Sequence, residues 1–319
     1  MSSSRSGTFL LLRNSFGMSR HKDALFFVLG ISCAHSLNVA VVGGSGFVGS
    51  RIVKLLSGKE GVSVTSLSRS GRAPTWAVGE AWVNSVKWES LDVVDEGDAA
   101  LDKALVGTEA LVSCVGVVGT DPDALLEGNG VSNRNVFLAG QRAGVERCIY
   151  VSVSSEVAAC QENWLPGFFS SYFEGKEMAE VAVNEAVGGD ASRTTIVKPT
   201  FIYGGDSFEL LPPRVAANYG SGVEELLSFK PFRMLADATP GMIKVALRPP
   251  VSVDAVAGAC VAGALGEVSG VFDGTDAIKA ATREAPSTGL TEALVWATEE
   301  IKKAALWAKS KVDEISSAS

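Results

Sequence analysis

Two periodicities share this chain. Short valine-rich runs recur at residues 38–42, 62–67, 86–91, 110–115, 148–153 and 194–197. Between them lie longer stretches whose apolar residues return every three or four positions, notably 131–143 and 172–187. A run of β-branched residues bounded by glycine reads as a buried parallel strand, and the longer period reads as an amphipathic helix. Strict alternation of the two predicts an α/β fold with a doubly wound parallel sheet. The alternation breaks over 204–248, where Pro212, Pro213, Pro231 and Pro240 cluster with several glycines, as in an inserted lobe or lid that completes the sheet further on. No internal repeat is present. A final amphipathic stretch, with Leu290, Leu294, Ile301, Val312 and Ile315 on one stripe, predicts a C-terminal helix over 286–319. That helix packs on the domain, or lies on a membrane surface or a partner.

The first run leads straight into Gly43, Gly46 and Gly49, and then into the periodic residues Ile52, Val53, Leu55 and Leu56. Strand, glycine turn and helix in this order build a cradle for a dinucleotide pyrophosphate. Gly43 allows the tight turn, Gly46 lets backbone approach a phosphate, and Gly49 lets helix sit close on strand. Ser45, Phe47 and Val48 complete the loop, and the helix start offers unpaired amides and the positive dipole end to an anion.

The end of the second strand normally decides which nucleotide binds. An acid there suits the ribose of NAD, an arginine the extra phosphate of NADP. Here Ser68-Arg69-Ser70-Gly71-Arg72 has no acid, which points to NADP(H), with NAD as the alternative. Asp92, followed by Val93, could accept from the adenine amino group or simply form an acidic turn. Val115 and Gly116 would let backbone pass near the nicotinamide ribose. After the fifth run comes Tyr172-Phe173-Glu174-Gly175-Lys176, which sets a phenol and an ammonium one helical turn apart on one face. The cation is expected to lower the tyrosine pKa into a working range for proton transfer, with Ser154 polarising the same substrate oxygen.

The net charge of −8 disfavours non-specific nucleic-acid binding. The five cysteines and two histidines show no metal-ligand spacing, and an unpaired cysteine count suggests a reducing compartment. Residues 1–22 carry Arg5, Arg13, Arg20, Lys22, many serines and no acid, as an organellar presequence does. The apolar run 24–33 that follows is ten residues long, too short to span a bilayer. Started from Met18, it would resemble a secretory leader instead.

These motifs occur in an order that resembles the extended or atypical short-chain dehydrogenase/reductases, also described as NAD-dependent epimerase/dehydratase-like. The matching pieces are Gly43 to Gly49, Asn129 to Asn135, Ala143 to Arg147, Ile149 to Ser152, Tyr172 to Lys176, Lys198-Pro199-Thr200-Phe201-Ile202-Tyr203-Gly204 and Pro250 to Ala257. Ser68 to Arg72, Gly175-Lys176 and Arg248 to Val251 look most like the branch of the nucleotide-binding accessory subunit of respiratory complex I, the dehydrogenase-like protein of coenzyme Q synthesis and related plant organellar proteins. The resemblance implies a Rossmann fold binding NADP(H), with Pro199 also at the cofactor. The chain is thus expected to divide into a presequence (1–36), a nucleotide-binding domain (37–203), a substrate lobe (204–285) and the terminal helix (286–319). It further implies a mitochondrial or plastid protein with a small-molecule substrate such as a quinone, isoprenoid or lipid, or a silent nucleotide-bound subunit of an organellar complex. Ser252 stands where a histidine is common. Cys160 to Ser171, carrying Trp164, Leu165, Phe168 and Phe169, is either a hydrophobic lid or core.

Overall fold

The computed structural model describes residues 36–94, 98–161, 167, 169–205, 209–210, 213–214 and 217–282. The presequence, the C-terminal helix, Trp164, Leu165 and Phe168 lie outside them. The strands are β1 (Leu37–Val42), β2 (Val62–Ser68), β3 (Val86–Ser90), β4 (Ala110–Ser113), β5 (Arg147–Val151), β6 (Thr194–Lys198) and, near the end, β11 (Gly270–Asp273). They form one seven-stranded parallel sheet in the order β11-β6-β5-β4-β1-β2-β3. β4 and β5 each stop two residues before the end that their apolar runs predict.

Both faces of the central strands are buried, which is why their runs are continuously apolar rather than alternating. On one face Val39, Val41, Val112 and Ile149 pack against α1 (Phe47–Ser57), α10 (Val253–Ala264) and α11 (Thr275–Thr282). On the other, Ala40, Val42, Leu111 and Tyr150 pack against α2 (Asp98–Ala104), α4 (Ser132–Ala143) and α6 (Phe169–Ala186). Between β2 and β3 no α-helix forms. Two 3₁₀ turns take its place, and Trp76, Trp82 and Trp88 stack at centroid spacings of 6.0 and 6.1 Å, with the Arg51 guanidinium 4.2 Å above Trp76.

After β6 the chain makes β7 (Ile202–Tyr203), β8 (Glu209–Leu210) and β9 (Pro213–Arg214), then α7 (Ala217–Ser228), α8 (Lys230–Ala238) and α9 (Gly241–Ala246). It returns through β10 (Val251–Ser252), which pairs in parallel with β7. Two of the prolines that break the alternation start helices here: Pro231 opens α8 and Pro240 caps α9. Glu224 of α7 ties this region down, accepting from Tyr203 Oη at 2.8 Å and from Lys279 Nζ of α11 at 2.5 Å. Among the described residues no helix is long and apolar enough to cross a membrane.

Candidate active site at the nucleotide crevice

β1 pairs with β2 on one side and β4 on the other, so the chain reverses its winding beside the carboxyl end of β1. Open parallel sheets bind ligands at such a switch point. The crevice there has a volume of about 560 Å³ and is lined by Gly43, Ser45, Gly46, Ser68, Arg69, Asp92, Val93, Val115 and Gly116. A larger groove of about 700 Å³ runs along the polar sheet face over Ser63, Thr65, Lys87 and Glu89, beside α2, and shares Leu91 with the crevice.

The glycine turn is built as the sequence implies. Gly43 has φ +81°, and a Cβ on Gly49 would sit 2.2 Å from the Gly43 carbonyl oxygen, so only glycine lets α1 start this close to β1. Phe47 opens that helix. The Val48 side chain packs against the core instead of lining the crevice. Ser45 Oγ donates to the Arg72 carbonyl at 2.5 Å and shares a 2.8 Å bond with Ser68 Oγ, while Ser90 Oγ donates to the Arg69 carbonyl at 2.9 Å. The 68–72 loop is therefore fixed by its backbone, with the Arg69 and Arg72 side chains exposed at the crevice rim. Asp92 accepts from the Val94 amide at 3.1 Å, an acidic turn beside the crevice.

Before α4 come α3 (Pro122–Leu126) and a π-helical turn over Glu127–Val131, where the periodicity alone predicts a helix starting at 131. Asn129 explains the turn. Fully buried, it donates to the Val117 and Leu125 carbonyls at 2.8 and 2.9 Å and accepts from the Val117 amide at 3.2 Å. Asn133, one turn on, accepts from Ser113 Oγ at 2.6 Å. The pair pins the 115–117 backbone where it borders the crevice. Two asparagines four apart, Asn129 and Asn133, just ahead of the apolar stripe of α4 are the signal that could have revealed this. Gly130 and Gly175 face each other: a Cβ on Gly130 would lie 2.8 Å from the Gly175 Cα, so α6 runs against the π turn.

That approach brings Lys176 into place. Lys176 is buried, donates to the Val151 carbonyl at 3.2 Å, and lies 5.1 Å above the Tyr150 ring and 5.8 Å from the Tyr172 ring. A Cβ on Gly116 would lie 3.4 Å from its Nζ. Tyr172 shares this helical face and stacks edge-on against Phe169 and Phe173. The expected lowering of the Tyr172 pKa is not found. Burial instead pushes the phenol up to about 12, and burial also pushes Lys176 down to about 8. Removing water destabilises the charged form of each group.

Ser154 is buried at the start of α5 (Ser155–Ala158), where its Oγ accepts from the Glu156 amide at 3.2 Å. Its hydroxyl proton remains available to a substrate oxygen. Pro199 does not line the crevice; its carbonyl accepts from the Ser154 amide at 2.9 Å and so sets the position of the serine. Ser252 caps α10 by accepting from the Ala255 amide at 3.0 Å. Phe169 opens α6, so one residue of the proposed hydrophobic lid belongs to the helix that carries the tyrosine.

The chain belongs to the NAD dependent epimerase/dehydratase family, whose model matches residues 39–238. Its fold and crevice are those of nicotinamide-nucleotide Rossmann proteins, and the donor set fits a dinucleotide. It is 33% identical over 171 residues to an uncharacterized chloroplastic protein of Arabidopsis thaliana, covering 53% of this chain and 52% of that one. It is 29% identical over 187 residues to a 4-hydroxy-2-methyl-3-oxo-4-farnesyl-3,4-dihydroquinoline-1-oxide ketoreductase of Stigmatella aurantiaca, covering 56% and 54%. The chain thus spans about half the length of the curated relatives it matches. The UDP-Glc/GlcNAc 4-epimerase of Campylobacter jejuni shares the fold, with a TM-score of 0.54 at 15% identity over 78% of this chain and 82% of that one.

Proposed function

We propose that this protein is an organellar NADP(H)-linked oxidoreductase that reduces the carbonyl of an apolar substrate of the quinone or isoprenoid class. The observation that carries the reading is the shared helical face of Tyr172 and Lys176, with Lys176 held between the Val151 carbonyl and Gly116 at the crevice floor. Gly43 to Gly49 would hold the pyrophosphate, Ser68 and Arg69 the 2′-phosphate, and Lys176 the nicotinamide ribose. The nucleotide supplies the hydride when bound. Tyr172, neutral because its pKa is raised, suits the donation of a proton to a developing alkoxide, and Ser154 can align the carbonyl by donating its hydroxyl proton. The prenylated-ketone substrate named for the Stigmatella relative supports the apolar class, and the chloroplastic designation of the Arabidopsis relative supports an organelle, the plastid before the mitochondrion.

A second reading is a nucleotide-bound scaffold in a quinone-synthesis or respiratory assembly. Ser154 lines a separate cavity with Glu156, Arg248 and Thr275 instead of the nucleotide crevice, which favours it. Purified protein is assayed for NADPH oxidation with prenylated quinones and ketones, and Tyr172→Phe is tested for rescue in cells lacking the protein. Turnover that Tyr172→Phe abolishes, at normal abundance, supports the enzyme. Full rescue by Tyr172→Phe, with NADPH retained unoxidised, supports the scaffold.

A further inference from the structure

One helical turn beyond Lys176, on the same face of α6, lies Glu180. Its carboxylate is tied to the carboxyl ends of two strands at once. Ser152 Oγ, just past β5, donates to Oε1 at 2.5 Å. Lys198 Nζ, the last residue of β6, lies 2.9 Å from Oε1 and 3.0 Å from Oε2. The cluster is largely shielded, with side-chain exposures of 24% for Glu180 and 13% for Lys198. Lys176 itself bonds to the Val151 carbonyl, the residue before Ser152. The cation and the carboxylate are thus anchored to adjacent residues of one strand end.

We propose that Glu180 is a positioning residue for Lys176: clamped by Ser152 and Lys198, it fixes α6 on the ends of β5 and β6 and supplies the negative field that keeps the buried ammonium charged. The inference rests on the oxidoreductase reading for its consequence in turnover; the bonds of Glu180 to Ser152 and Lys198, and its place one turn from Lys176, stand apart from that reading.

The other groups facing Lys176 carry no charge near neutrality. Cys114, at the end of β4, has its thiol pushed up to about 12 by burial. Tyr150 from β5 is held well above its usual value, and Tyr172 is pushed up to about 12, both by burial. Glu174 and Glu177 of α6 stand exposed. That leaves Glu180, with Lys198 of opposite sign behind it. Burial pulls Lys176 down to about 8, and the Glu180 carboxylate opposes that pull.

The test titrates Lys176 directly, by competitive acylation of the full chain from about pH 6 to about pH 10 with mass-spectrometric readout of the modified lysine. Glu180→Gln keeps the shape and one acceptor but removes the charge. It should lower the Lys176 midpoint by about half a pH unit or more, and shift the basic limb of NADPH turnover by the same amount. Lys198→Met removes the opposing cation and should raise the midpoint; it tests the same field should Glu180→Gln fail to fold. A midpoint that stays at the wild-type value in either folded variant overturns the inference. The labelling needs no substrate, so it separates the two readings. A shifted midpoint without any turnover keeps the field and removes the enzyme. An unshifted midpoint, beside turnover that Tyr172→Phe abolishes, does the reverse.

Discussion

Lys176 is a cation placed where a cation is costly. Its pKa falls from an ordinary 10.5 to about 8, so the unfolded chain binds more protons than the native one between those values. Native stability therefore rises with pH across that window, and the full cost of the buried charge is present below about pH 8. Lys176→Met should stabilise the protein at pH 7 by about 1–2 kcal/mol, net of the lost Val151 hydrogen bond, while abolishing turnover. Thermal unfolding across pH checks this; the gain should shrink as pH climbs towards 10.5. Tyr172 has the opposite sign, since its raised pKa lowers native stability as pH climbs from 10 towards 12. Arg69 poses a simpler question. Its loop is already fixed by Ser45 and Ser90, so Arg69→Ala removes one guanidinium and little else. It should weaken NADP(H) about tenfold or more and leave NAD(H) nearly unchanged in a binding titration.

At the scale of the element, the glycine turn and α1 were legible because each glycine has a mechanical task that no other residue performs. Gly49→Ala should cost about 2 kcal/mol or more and abolish nucleotide-induced thermal stabilisation, because its Cβ would enter the Gly43 carbonyl. The strand ends and the π turn were less legible. The backbone past β4 is held by Asn129 capturing Val117, a contact between residues twelve positions apart that no local period reports. The tryptophan stack between β2 and β3 is similar: Trp76, Trp82 and Trp88 show no helical or strand period, and only their packing gives them a joint role.

For the whole molecule, Glu224 of α7, a carboxylate 4% exposed, joins β7 to α11 through Tyr203 and Lys279, and Arg248 ties the same region back to Glu156 of α5 at 2.7 Å. Glu224→Ala strands a half-buried ammonium and removes an acceptor from the Tyr203 hydroxyl. It should cost about 3 kcal/mol in chemical denaturation, with Glu224→Gln milder because the amide still accepts from the tyrosine. Return of the chain to the sheet as β11, parallel to β6, places Asp273 beside the Ser155 amide, so the last strand helps hold the loop that carries Ser154.

The linear order of residues settled the class of fold, the nucleotide turn and the helical face shared by Tyr172 and Lys176, because each follows from periodicity or from spacing within a few residues. Folding in three dimensions decided the protonation of that pair and the pinning of the 115–117 backbone. It also set a carboxylate one turn below the lysine, bonded to two strand ends. Those features depend on how much water is excluded and on which distant groups become neighbours, and both are properties of packing.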